Sequence, residues 1–122
     1  MTVDEDELRA IMGAVQRLFA LWQLTDEQSA VLLGVTEKTW VRFRSGDHDG
    51  PIAADIWKRA ANLLSIHASL QVLIGKPQCL KWIHRPNSAP MFAGQSALNT
   101  MIDGGLPAIE RVKEYLQAEL AQ

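Results

Sequence analysis

The segment LTDEQSAVLLGVTEKTWVRFRSG, residues 24–46, constrains this chain most tightly, because it carries helix start and stop signals twice over. Thr25 is a hydroxyl N-cap, and Gln28 three residues later completes a capping box. The helix it begins holds Ala30, Leu32 and Leu33. It must be short, because Gly34 follows and tolerates the positive φ that ends a helix. Thr36 then caps a second short helix, which Gly46 terminates. Two short helices joined by a tight, glycine-containing turn have the length and punctuation of a DNA-binding helix-turn-helix.

The second helix of the pair separates into two faces. Trp40 and Phe43 are three apart and read as core anchors, with Val35 leading in. Lys38, Thr39, Val41, Arg42 and Arg44 are left for the outer face. Residues 36–46 hold Lys38, Arg42 and Arg44 against Glu37 alone, a local +2 on a chain of formal net charge -2. Lys and Arg reach phosphates or guanine edges, and Thr and Val can touch a thymine methyl. The competing reading is a helical bundle that never meets DNA, and Glu37, Asp47, Asp49 and Asp55 argue on that side. One such module binds weakly, so a homodimer reading two half-sites is expected.

The rest of the chain also reads as helix. Leu8, Ile11, Met12, Val15, Leu18, Phe19 and Trp22 fall on one face of a 3.6-residue period, predicting a helix over 4–22. The acids Asp4 to Glu7 lie in its first turn, where the helix dipole favours them. GDHDGP, residues 46–51, is a turn by composition. Asp47, His48 and Asp49 are adjacent and do not converge on one ion, so no metal is expected there. A longer helix is predicted over 51–74, with Pro51 in its first turn. Its buried stripe is Ile52, Ile56, Ala60, Leu63, Leu64, Leu70 and Ile74, with His67 packed on or beside it. Gly75 and Pro77 close it. A short helix over 78–84 stops before Pro86, and a loop covers 86–94. Another short helix, 95–102, starts near Gln95 or Ser96 and ends at Asp103-Gly104-Gly105. A last helix, 106–121, has Pro107 in its first turn. No period-2 strand pattern is present. The expected fold class is all-α, with an N-terminal helical region over 1–74 and a small helical domain over 75–122. At 122 residues and 48% apolar composition, the chain suits one domain or two very small ones sharing a core.

Catalysis is not expected. Cys79 is the one cysteine, forms no internal disulfide and reads as packing. The candidates Cys79, His84, Asp103 and Glu110 lack a nucleophile–base–orienter spacing, a phosphate cradle or a metal signature. No catalytic residue, cofactor or metal is assigned. No apolar run approaches the roughly 20 residues needed to span a bilayer. The acidic start MTVDEDE is unlike a secretory signal. A cytoplasmic location, away from membranes, is the expectation.

Two stretches resemble known families. Gln28 to Leu33, Gly34-Val35, Thr36 to Thr39 and Phe43-Arg44-Ser45-Gly46 resemble the Xre/Cro class of helix-turn-helix proteins. That class often shows Trp or Ile followed by Glu where this chain has Phe43-Arg44, which changes the charge of the outer face. Trp82-Ile83-His84-Arg85-Pro86-Asn87, then Met91 to Leu98, then Met101-Ile102-Asp103-Gly104-Gly105 and the helix through Arg111, Val112, Tyr115 and Leu116 resemble the C-terminal toxin-binding domain of Xre/MbcA/ParS antitoxins. Ala97 and Asn99 depart from the common Pro and acidic residue. Relatives often continue with a Gly-bearing tail beyond the point where this sequence stops, Gln122.

The resemblance implies an antitoxin of a type II toxin–antitoxin pair. Its partner would be a RES-domain toxin that consumes NAD, bound so that the toxin's active site is covered. Operator DNA would be a second partner, through which the operon is autoregulated. Trp82, Ile83 and Leu98 are expected in the core. Arg85, Asn87, Met91, Phe92 and Gln95 are expected to face the toxin, with Arg111 and Tyr115 of the last helix as the further toxin-binding candidates. The alternative is a stand-alone helix-turn-helix regulator whose C-terminal domain dimerises or senses a ligand.

Overall fold

The computed structural model describes residues 4–47 and 50–122. Among these residues the regular elements are helical: α1 (Glu5–Leu21), α2 (Asp26–Leu33), α3 (Glu37–Ser45), α4 (Ala54–Leu73) and α5 (Ala97–Leu120). Two short 3-10 turns, Gln78–Leu80 and Trp82–His84, lie between α4 and α5. The chain folds as two units, one reaching Leu64 and the other beginning at Ser65. The division falls inside α4, because that helix continues without a break past residue 64. Residues 1–74 and 75–122, the partition read from the sequence, place it instead at the end of the helix.

Capping explains the first unit's boundaries. Asp4 Oδ1 accepts from the Glu7 amide at 2.7 Å and starts α1. Thr25 Oγ1 accepts from the Gln28 amide, and Gln28 Oε1 accepts from the Thr25 amide, both at 3.0 Å, so the capping box is closed. Gly34 ends α2 at φ 73°, and the Val35 amide reaches back to the Ala30 carbonyl at 3.0 Å. The Thr36 hydroxyl accepts from the Thr39 amide at 3.1 Å and starts α3. Gly46 ends it at φ 77°. Each helix is too short to persist alone, so packing must hold the pair.

That packing comes from the predicted apolar face of α1. Met12, Val15, Leu18, Phe19 and Trp22 are buried with Leu32, Leu33, Trp40, Phe43, Ala60 and Leu63. Phe19 is the aromatic hub, 5.4 Å from the Trp40 ring and 6.3 Å from the Trp22 ring. Burying a side chain of this size contributes about 1.5–3 kcal/mol relative to leaving it exposed.

Three boundaries differ from the sequence reading. The helix expected from residue 51 starts at Ala54, with the Ala53 carbonyl accepting from the Ile56 amide at 3.0 Å. Pro51 therefore precedes the helix rather than sitting in its first turn. Ile74, expected in the buried stripe, is 41% exposed, because α4 ends at Leu73 and the chain leaves the helix face. Ile66, which the stripe omitted, is fully buried. The helix expected over 78–84 is two 3-10 turns. The Leu80, Lys81, His84 and Arg85 amides all reach back three residues, to Pro77, Gln78, Lys81 and Trp82. So short a segment gains little from α-geometry, and three-residue turns serve it better.

In the second unit, Ser96 caps α5, its hydroxyl accepting from the Asn99 amide at 3.0 Å. α5 bends where the sequence reading ended one helix and began another. Gly105 lies at φ 66°, ψ -154°, outside the helical region, with Pro107 just beyond. Ile66, Leu70, Cys79, Ile83, Phe92, Leu98, Met101, Ile109, Val112 and Leu116 are among its buried side chains.

Candidate DNA-contact and partner-contact surfaces

The first surface is the outer side of α3. Lys38, Arg42 and Arg44 are exposed there, while Thr39 and Val41 are half-buried. Trp40 and Phe43 point inward, 3% and 6% exposed, as their spacing predicts. Two contacts fix how α3 is presented. Gln16 Nε2 of α1 donates to the Phe43 carbonyl at 3.0 Å, holding the last turn. Trp40 Nε1 donates to Asp26 Oδ1 at 2.9 Å, tying α3 to the first turn of α2.

Asp26 carries no signal of this role in the sequence, and it changes the electrostatics. Its second oxygen accepts from Arg44 Nη2 at 3.3 Å. One of the three outer cations is thus already compensated within the motif. Lys38 and Arg42 remain as exposed cations with no ion pair among the described residues. The Thr39 hydroxyl accepts from the Thr36 hydroxyl at 3.0 Å and keeps its own proton for another acceptor. The surface can contact phosphates through Lys38 and Arg42 and a base methyl through Val41.

The turn of the motif is braced from α4. Arg59 Nη1 donates to the Val31 and Leu32 carbonyls, both at 3.4 Å, and its Nε donates to Asp55 Oδ2 at 2.9 Å. The guanidinium thereby serves the C-terminal carbonyls of α2, where a cation is favoured.

The second surface lies in the second unit, around residues 78–96. Its loop is built on Asn87. The Asn87 amide donates to the Gln95 carbonyl at 3.0 Å, and its own carbonyl accepts from the Gly94 amide at 2.9 Å. Its side-chain Oδ1 accepts from the Ala89 amide at 2.9 Å, an Asx-type turn. Ala93 and Gly94 both take positive φ, 50° and 85°. Asn87 therefore shapes the loop, and its side chain is half-buried rather than simply displayed.

Phe92 corrects the sequence reading outright. Expected to face outward, it is 2% exposed. Its ring meets Trp82 edge-on at 5.9 Å and Tyr115 edge-on at 5.5 Å, so it is the centre of an aromatic row. A Phe followed by Ala and Gly in a loop gives no periodicity from which to place it. Ile83 and Leu98 are buried as expected, and Trp82 is half-buried.

The remaining candidates stand at the surface. Arg85, Gln95 and Arg111 are exposed, and Met91 and Tyr115 are half-buried. Arg85 Nη2 donates to Gln78 Oε1 in a short hydrogen bond. Cys79 is fully buried, as a packing residue should be. Among the described residues no group of three His, Cys, Asp or Glu side chains is placed to hold a metal ion. Of the Asp47-His48-Asp49 run, His48 and Asp49 lie outside the described residues. Also among the described residues, no helix is long and apolar enough to cross a membrane.

Comparison with known proteins bears on the helix-turn-helix region as a whole. The model of the antitoxin Xre-like helix-turn-helix domain matches residues 3–65. The chain is 32% identical over 117 residues, 95% of its own length and 88% of the relative's, to the uncharacterized protein y4oB of Sinorhizobium fredii (strain NBRC 101917 / NGR234). No solved structure matches the chain. With the two short helices, their turn and the packed α1 face all inside the matched region, the chain belongs to the antitoxin Xre-like helix-turn-helix family, whose members imply a cognate toxin as partner.

Proposed function

We propose that this protein neutralises a RES-domain, NAD-consuming toxin by binding it through the second unit and covering its active site. It further represses its own operon through Lys38, Thr39, Val41, Arg42 and Arg44, acting as a homodimer. The observation that carries this reading is the second unit itself. Behind an antitoxin-type helix-turn-helix stands a small helical module whose loop is internally hydrogen-bonded, with Arg85 and Gln95 exposed at its two ends. An inhibitor of this kind needs an apolar centre and polar groups at its rim, not catalytic groups of its own.

Co-expression with the product of the adjacent reading frame tests the proposal. Growth should be arrested by that product alone and restored when this chain is present, and the two should co-purify. A harmless neighbour, or arrest that persists in the presence of this chain, would refute the antitoxin role. Gel retardation on the chain's own promoter tests repression. Undiminished retardation by the Arg42→Ala, Arg44→Ala double variant would remove the α3 surface from the mechanism.

A further inference from the structure

No acidic residue lies between Asp55 and Asp103, yet that stretch holds Lys58, Arg59, Lys76, Lys81 and Arg85, in a chain of formal net charge -2. In the second unit this leaves Lys76, Lys81 and Arg85 unopposed before α5 begins. The 3-10 turns decide how the last two are displayed. With three residues per turn, positions i and i+3 eclipse. Gln78, Lys81 and His84 thus form one row, and all three are exposed while Cys79 and Ile83 between them are buried. Arg85 joins the row by donating to Gln78 Oε1.

Beside the row stands the Asn87 loop. It is fixed at its base by the Asn87–Gln95 and Gly94–Asn87 backbone hydrogen bonds and within by the Asn87 side chain. Within it Ser88 and Pro90 are exposed and Met91 is half-buried, and Trp82, whose ring meets Phe92 of the loop, is half-buried as well. The surface therefore sets a loop fixed by its own hydrogen bonds, with half-buried apolar groups, beside exposed cations.

We infer that the Lys81–His84–Arg85 row and the adjoining loop dock onto an acidic patch of a partner protein, the toxin of the proposed pair. The inference rests on that proposed pairing and adds the chemistry of the contact. A cleft that receives a phosphate-bearing substrate must itself be cationic, and would repel this row. The row docks beside such a cleft, on an acidic rim, and the rest of the second unit does the covering. The apolar groups beside the cations favour a protein over a nucleic acid, whose backbone offers charge without an apolar counterpart. Because the loop is already ordered, little conformational entropy is lost on docking. The charges act mainly on the rate of association.

The test is association kinetics between the full-length chain and its purified toxin, at about 50 mM and about 300 mM salt. The wild-type association rate should fall about tenfold between the two, as electrostatically steered encounters do. The Lys81→Glu, Arg85→Glu variant should associate about tenfold more slowly at low salt and lose most of the salt dependence. Lys81→Glu alone, which leaves the Arg85–Gln78 hydrogen bond in place, should show an intermediate effect with an unchanged thermal midpoint. Association rates and salt dependence equal to wild type in both variants would overturn the inference while leaving the antitoxin role standing. Loss of operator retardation with toxin association intact would overturn it in favour of a nucleic-acid surface. No toxin binding by the wild-type chain would remove the pairing and this inference with it.

Discussion

The indole Nε1 of Trp40 donates to Asp26 Oδ1 across 2.9 Å, so the first residue of α2 holds the aromatic anchor of α3. The same carboxylate accepts from Arg44 at 3.3 Å. One side chain thus sets the relation between the two helices and also occupies a cation of the outer face.

Asp26 variants separate those two roles. Asp26→Ala removes both contacts and leaves the half-buried indole N–H without this acceptor. It should cost about 1.5–3 kcal/mol, the range for hydrogen bonds to a charged group. Asp26→Asn retains an acceptor for Trp40 and loses only the ion pair, which is exposed on both sides and worth about 0–1 kcal/mol. Urea denaturation checks both values. The Asn variant also releases Arg44. If α3 contacts DNA as proposed, operator affinity should rise and the salt slope should steepen by about one. An unchanged slope would show that Arg44 reaches no phosphate.

Gly34 and Arg59 are coupled by close approach. Gly34 has φ +73°, and a Cβ there would lie 2.9 Å from Arg59 Cζ. Gly34→Ala should therefore destabilise by about 1–2 kcal/mol from the left-handed backbone alone, with displacement of the guanidinium in addition. Arg59→Ala loses the bonds to the Val31 and Leu32 carbonyls but opens the space. A double-mutant cycle should show the combined variant less destabilised than the sum of the singles. Strict additivity would mean that the guanidinium moves aside at no cost.

The bend in α5 depends on two adjacent glycines for different reasons. Gly105 adopts φ 66°, ψ -154°, a region essentially confined to glycine, so Gly105→Ala should cost about 1–3 kcal/mol. Gly104 is instead constrained by space, since a Cβ there would lie 2.5 Å from Ala108 Cβ. Gly104→Ala should force α5 to shift locally. Both variants should lower the thermal midpoint, and hydrogen exchange should show the loss concentrated in residues 97–120.

The punctuation of the helix-turn-helix is legible because each signal is local. Thr25, Gln28, Gly34, Thr36 and Gly46 act within four residues of themselves, and every one performs the expected role. The α1 stripe is equally legible, since Met12, Val15, Leu18, Phe19 and Trp22 repeat with the helix period and are all buried. What escapes is set by distance. Asp26 meets Trp40 and Arg44 across 14 and 18 residues, and no spacing rule links them. Phe92 sits in a loop without periodicity, and the rings it meets, Trp82 and Tyr115, lie far from it along the chain. The start of α4 escapes for a related reason: Pro51 is permitted in a first turn, but permission does not require it to be there.

His67 supplies a pH-dependent contribution to stability. Burial lowers its pKa from the ordinary 6.5, and the positive charge of Lys76 lowers it further. The folded chain thus holds a proton on this ring less readily than the unfolded chain does. Above the unfolded value both states carry the neutral ring, and the contribution is complete. As pH falls below 6.5, the unfolded state takes up the proton first, and stability declines until the folded value has also been passed. The urea midpoint of the wild type should therefore drop between about pH 7 and about pH 5, before carboxylate titration dominates. His67→Gln should flatten that drop, and Lys76→Gln should reduce it by removing the weaker of the two causes. The comparison is between each variant and wild type at matched pH. Parallel midpoint curves for His67→Gln and wild type would show that His67 is not the group responsible.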